Sequence, residues 1–122
     1  MKKSYKWIGL AVLLLFIAGT VYWYKLPGKL DSFALCLKEK DAIFYGAFWC
    51  PHCQKQKQLF GKSAKFLPYV ECSTSDGKQQ TQVCTLQKID NYPTWEFADG
   101  TRQTGEISLS ELSQKTGCPL PP

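Results

Sequence analysis

Acidic residues are missing from the first thirty positions of this 122-residue chain, and histidine occurs once. Only one pair of cysteines is closely spaced, Cys50 and Cys53. Each scarcity excludes something. The length leaves no room for a multidomain enzyme with its own dinucleotide-binding unit. Five lysines (Lys2, Lys3, Lys6, Lys25, Lys29) account for the whole formal charge of +5, because residues 31–122 balance ten basic against ten acidic side chains. A nucleic-acid partner is therefore not expected, since that footprint needs a basic face on the folded domain. The lone His52 already stands between two cysteines, so a zinc site would be short of ligands and no metal is expected. Internal repeats and low-complexity stretches are absent.

What the first thirty residues do contain is an uncharged run of 18, from Trp7 to Tyr24. At helical rise it reaches roughly 27 Å, enough for a hydrocarbon core with some snorkelling at the ends. Tyr5 and Trp7 mark one edge and Tyr22, Trp23 and Tyr24 the other, as amphipathic rings do at an interface. A cleaved signal peptide is the competing reading, with Ala18-Gly19-Thr20 as the small residues. The bulky Val-Tyr-Trp-Tyr that follows and the length of the run favour a retained anchor. The lysine bias puts the amino terminus in the cytoplasm and the rest across the membrane. The organisation expected is a basic segment 1–6, an anchor 7–24, a linker 25–32 with Pro27 and Gly28, a domain 33–118 and a tail 119–122.

The domain reads as α/β. Asp31 or Ser32 caps a helix running to about Lys40. Ala42–Phe48 has the length and apolarity of a strand covered on both sides. After Cys50-Pro51-His52-Cys53, helical sequence continues to about Phe66, with Pro51 at the favoured first helical position. Lys55, Lys57, Lys62 and Lys65 make that stretch basic, read as a solvated face. Leu67–Cys72 is a second strand, and a short helix falls around Gln80–Lys88. Thr94–Phe97 and Thr101–Glu106 form a hairpin about Asp99-Gly100. Ser108 and Glu111 make a capping box for a last helix, closed by Gly117. This order implies a mixed central sheet with helices on both faces. A core of about ninety residues is marginal, and crosslinks would help it.

A Cys-x-x-Cys that opens a helix has a chemical consequence. Unpaired N–H groups and the helix dipole stabilise a thiolate on the first cysteine, Cys50. His52 is expected to tune that thiolate, and a stabilised thiolate makes the disulfide more oxidising. Half of a zinc site and a static disulfide are the structural alternatives; the strand–Cys-x-x-Cys–helix context favours redox chemistry. Trp49 is expected to pack beside the pair.

Phe-Trp-Cys-Pro-His-Cys (48–53) followed by Tyr-Pro-Thr (92–94) resembles the thioredoxin fold. The longer string from Phe44 to Cys53, with Val-Glu-Cys (70–72) and Tyr-Pro-Thr-Trp (92–95), is more specific. It resembles the thioredoxin-like domain fused to, or paired with, bacterial and plant-type homologues of vitamin K epoxide reductase. The match covers roughly residues 33–118. The resemblance implies a cis bond before Pro93, and Tyr92, Pro93 and Thr94 beside the redox pair, shaping the client groove. It also implies a quinone-reducing membrane partner, here a separate protein, and no cofactor in the chain beyond the redox-active disulfide. Two departures stand out. Thioredoxin's buried Asp on the preceding strand is Phe44 here, which leaves Cys53 without an obvious buried base. The Pro-His dipeptide is that of the periplasmic oxidase DsbA, but the large helical insertion of that family is missing.

With Cys50–Cys53 as the redox pair, four cysteines allow three pairings. Cys72 with Cys84 closes a short polar loop; Cys36 and Cys118 then pair or stay free, and Cys36 also suits a small core position. The function expected is a single-pass thiol–disulfide oxidoreductase oxidising exported protein thiols in a periplasm, other extracytoplasmic space or thylakoid lumen. Cys50 is the nucleophile and Cys53 the resolving thiol. An anchored reductase of the cytochrome c maturation type and a non-catalytic adaptor are the alternatives.

Overall fold

A computed structural model of the chain describes residues 2–122, with the side chains of Lys2 and Lys3 left out. Met1 of the expected basic segment lies outside the described residues. The fold is organised around one strand, β1 (Ile43–Gly46), whose successive side chains point to opposite faces. Phe44 enters one core with Phe33 and Leu37 of helix α2 (Asp31–Glu39), Cys53 of helix α3 (Pro51–Gln58) and Leu112 of helix α5 (Leu109–Thr116). Tyr45 enters the other with Cys72, Ile89 and Cys84 of the short helix α4 (Gln82–Leu86). Helices thus cover both faces.

β1 pairs in parallel with β2 (Tyr69–Glu71) and antiparallel with β3 (Thr94–Glu96), which pairs antiparallel with β4 (Arg102–Thr104). The sheet order is β2-β1-β3-β4. The register sets Phe44 opposite both Tyr69 and Trp95. Phe44 stacks on the buried Trp95 with ring centroids 4.9 Å apart and meets Tyr69 edge-on at 5.1 Å. These three rings fill the floor beneath the Cys-x-x-Cys.

Four local expectations differ. The cap of α2 is Leu30 rather than Asp31 or Ser32: its N–H donates to Ser63 Oγ (3.0 Å), while the Asp31 carboxylate accepts the N–H of Gly28 (3.0 Å). The helical stretch expected up to Phe66 is two pieces. Gly61, at φ 51°, ends the α-helical path and a 3₁₀ helix (Gly61–Phe66) continues it. Its lysines are not a uniformly solvated face, because Lys57 Nζ lies 3.5 Å from the Tyr69 ring centroid and Lys62 Nζ 3.6 Å from that of Trp23. At α5, Ser108 Oγ accepts the N–H of Glu111 (3.2 Å), but the Glu111 carboxylate turns to Gln103 (2.9 Å), so only half of the capping box forms.

The apolar run lies in α1 (Lys2–Lys25), which is exposed along its described side chains and is long and apolar enough to cross a membrane.

Candidate active site

Cys50 occupies the N-cap of α3 with extended backbone (φ −78°, ψ 118°), and Pro51 follows at the first helical position. This geometry aims the Cys53 N–H at Cys50 Sγ, 3.3 Å away. The sulfur thus takes the place of the oxygen that usually caps a helix, where free N–H groups and the dipole favour negative charge. On its other side, Cys50 Sγ lies 3.8 Å from the Tyr92 carbonyl oxygen. Both thiols are unbonded. Cys50, the expected nucleophile, keeps only 5 % of its surface, against 1 % for Cys53. The half-exposed rings of Phe48 and Trp49 flank it in sequence. Burial, followed by the hydrogen bond with Cys50, pushes the Cys53 thiol up to about 12.

His52 lies on the exposed side of the helix with Nδ1 2.9 Å from Glu106 Oε2. A carboxylate, rather than either sulfur, is therefore the hydrogen-bond partner of that ring nitrogen. Any influence of His52 on Cys50 acts through space and with Glu106 in the circuit. One turn further on, Gln56 is wholly buried and grips both backbone groups of Ile107: Nε2 donates to its carbonyl (2.9 Å) and Oε1 accepts its N–H (2.7 Å). Helix α3 is thus latched twice to the segment before α5.

The Tyr92–Pro93 peptide bond is cis. Two of the residues expected to shape the groove are partly committed elsewhere: Pro93 O accepts the N–H of Gly105 (2.8 Å), and Thr94 is buried with its hydroxyl donating to Asn91 O (2.6 Å). Tyr92 remains at the edge of the pair, its ring edge-on to Trp49 with centroids 6.0 Å apart. Trp49 Nε1 donates to Ser73 Oγ (2.9 Å), and Glu71 accepts from Phe48 N–H (3.2 Å). The remaining cysteines are closed as Cys36–Cys118 and Cys72–Cys84. Among the described residues no cluster of three or more metal-ligating side chains occurs.

Glu71, Ser73, Gln56 and Glu106 escaped the sequence reading as site residues. Val-Glu-Cys did draw attention to Glu71, but nothing in a polar helix reading Gln-Lys-Gln-Lys-Gln singles out Gln56.

A mixed sheet, a Cys-x-x-Cys opening a helix and a cis-proline beside it describe a thioredoxin-like domain, and comparison with known proteins supports that class. The chain is 45 % identical over 88 residues to the thiol-disulfide oxidoreductase LTO1 of Arabidopsis thaliana, across 69 % of this chain and 23 % of that protein. It is 32 % identical over 102 residues to a thioredoxin domain-containing protein 5 homolog of Drosophila melanogaster, across 72 % of this chain and 24 % of the relative. The chain thus spans about a quarter of the length of these relatives. No family model matches it.

Proposed function

We propose that this protein is a membrane-anchored thiol–disulfide oxidoreductase that oxidises exported protein dithiols and passes the electrons to a quinone reductase of the vitamin K epoxide reductase type. The observation that carries the reading is the placement of Cys50 at the N-cap of α3 with Cys53 N–H on its sulfur, both thiols unbonded while four other cysteines are crosslinked.

In the oxidised pair, a client thiolate attacks Cys50 Sγ, the Cys50–Cys53 bond breaks and Cys53 leaves as thiol after taking a proton. The client's second thiolate then attacks its own sulfur in the mixed disulfide and releases Cys50 as a thiolate. Two electrons have moved from client to chain; of the two protons the client gives up, one is held on Cys53 and the other passes to solvent. Cys50 is the leaving group the helix end favours; Cys53, buried and with its thiol pushed up to about 12, holds its proton. Reoxidation runs the steps backwards against a disulfide of the membrane partner, with quinone as final acceptor; the chain needs no metal or organic cofactor of its own. Tyr92 and Pro93 form the wall against which an extended client lies, with Trp49 beside them. Helix α1 anchors the domain, amino terminus in the cytoplasm, and holds it near a membrane partner in an extracytoplasmic compartment.

Full-length protein in detergent, mixed with a reduced client, tests this. Oxidation of the client is expected to disappear in Cys50→Ala; persistence of it overturns the assignment. Equilibration of the pair with glutathione gives the direction. A potential near or above about −180 mV supports client oxidation, and one near about −270 mV replaces it with an anchored reductase.

A further inference from the structure

The Glu71 carboxylate stands where β2 ends beside the strand that leads into Cys50. Its Oε1 accepts the N–H groups of Phe48 (3.2 Å) and Ser73 (2.9 Å), and its Oε2 accepts the Tyr69 hydroxyl (2.8 Å). Phe48 is two residues ahead of Cys50. The next residue, Trp49, is tied to the same segment by its bond to Ser73 Oγ. On the far side, the Tyr69 ring packs at Cys53. A Cβ added to Gly46 would stand 2.9 Å from Tyr69 Cε2 and 3.0 Å from Cys53 Sγ, so ring and sulfur flank one point of β1 that only glycine leaves open. A single carboxylate therefore holds the approach to Cys50 and, through Tyr69, the surroundings of Cys53.

These groups also sense one another electrostatically. The Tyr69 hydroxyl is pushed up from its ordinary value by burial, then by the hydrogen bond and charge of Glu71, then by Cys53 and Cys50. The titratable groups around the pair are His52 and Lys57 of α3, Tyr69 and Glu71 of β2, and Tyr92 before the cis-proline. His52 is engaged by Glu106, and Lys57 lies over the Tyr69 ring.

We propose that Glu71 is a positioning residue of the redox pair: it fixes the Phe48–Trp49 approach to Cys50, and its negative charge opposes formation of the Cys50 thiolate. The inference rests on reading Cys50–Cys53 as the redox pair. A destabilised thiolate destabilises the dithiol form, so Glu71 moderates an otherwise more oxidising pair. Glutamine keeps an oxygen for the Phe48 and Ser73 N–H groups but removes the charge, so Glu71→Gln isolates the electrostatic part. Glu71→Asp keeps the charge.

The test uses full-length protein in detergent, with Glu39→Gln as a remote charge control on α2. Cys50 alkylation is followed against pH, and the Cys50–Cys53 pair is equilibrated with glutathione. Glu71→Gln is expected to move the alkylation midpoint to lower pH and to favour the dithiol by on the order of fivefold. Glu71→Asp and Glu39→Gln are expected to stay near wild type, and peptide mapping to show Cys36–Cys118 and Cys72–Cys84 intact in all of them. A merely structural role would not move the pH profile of a folded variant. An unmoved midpoint in Glu71→Gln, with normal glutathione exchange at Cys50, overturns this inference and leaves the redox reading standing. Absence of any exchange at Cys50 in wild type overturns the redox reading itself. Should Glu71→Gln lose its two structural disulfides, Tyr69→Phe decides. It withdraws one donor from the carboxylate, leaves its charge less compensated and is expected to shift the midpoint upward; no shift there also overturns the inference.

Discussion

Two sets of cysteines share this small domain, and burial does not distinguish them. Cys72, Cys84 and Cys118 are fully buried, but Cys53 and Cys50 are nearly so, at 1 % and 5 % exposure. What differs is the backbone around them. The crosslinked cysteines join elements that are distant along the chain or that bracket a loop: Cys36–Cys118 spans 82 residues and Cys72–Cys84 spans 12. The unbonded two sit three residues apart at a helix start, where the first sulfur replaces the capping oxygen and receives the second residue's N–H. The two sets thus differ in which backbone groups face the sulfur, while exposure is nearly the same.

The widest separation between the two sets is expected on removing Cys53. Cys53→Ala leaves Cys50 at the helix end with nothing to resolve it. Oxidised glutathione should then convert nearly all of the protein to a mixed disulfide at Cys50, readable as a mass increase of one glutathione. In wild type the same species should be transient. Wild-type levels of adduct in Cys53→Ala would break the division of roles.

Next come the crosslinks. In the chain-entropy model the 82-residue loop of Cys36–Cys118 contributes somewhat over 4 kcal/mol and the 12-residue loop of Cys72–Cys84 about 3 kcal/mol. Denaturant unfolding of Cys36→Ala/Cys118→Ala and Cys72→Ala/Cys84→Ala is expected to rank them in that order. Cys50 alkylation is expected to rank them in reverse. Cys72 lies between Glu71 and Ser73, which hold Phe48 and Trp49, whereas Cys36–Cys118 ties α2 to the segment after α5. Equal effects of both pairs on Cys50 would show that the short crosslink has no special hold on the site.

Titration sharpens the contrast between Cys50 and Cys53. The Cys53 thiol is held up from an ordinary 9.0 to about 12, first by burial. The folded dithiol therefore keeps this proton where the unfolded chain has lost it. Its stabilising contribution is fully present below about pH 9 and is lost as pH rises toward 12. The oxidised form has no such proton. Thermal melts of reduced protein are expected to fall relative to oxidised protein across that window; parallel melts would remove the perturbed thiol from the account.

The pattern of strands, helices and hairpin was legible in the sequence because each rests on local signals. The apolar run of β1, Pro51 after Cys50, Asp99-Gly100 and Ser108 all act within a few residues. The Cys-x-x-Cys stood out for the same reason. What stayed hidden depends on contacts made across the fold. Leu30, at the start of α2, is held by Ser63, 33 residues away, whose Oγ accepts its N–H. His52 meets Glu106 across 54 positions, and Glu71 reaches Phe48 across 23. The break near Gly61 was visible as a glycine, but the helical sequence on either side masked it.

A last comparison separates the two latches that hold α3 to the segment before α5, and the surface latch carries the smallest effect of all. His52 and Glu106 pair at the surface, their side chains 62 % and 37 % exposed, so water and salt screen the attraction. Exposed pairs of this kind contribute up to about 1 kcal/mol, and Glu106→Gln is expected to lose no more than that. Gln56 makes two bonds to Ile107 with no exposed surface, and its removal strands a buried N–H and a buried carbonyl. Gln56→Ala is therefore expected to cost about 1–3 kcal/mol per group left unpaired, measured by urea unfolding alongside Glu106→Gln. The same two variants test where α3 is held. If the buried latch sets its position, Gln56→Ala disturbs the alkylation rate of Cys50 and Glu106→Gln changes it only through the charge near His52. A larger change in stability for Glu106→Gln than for Gln56→Ala would mean that the surface pair, despite its exposure, is what fastens α3 to the sheet.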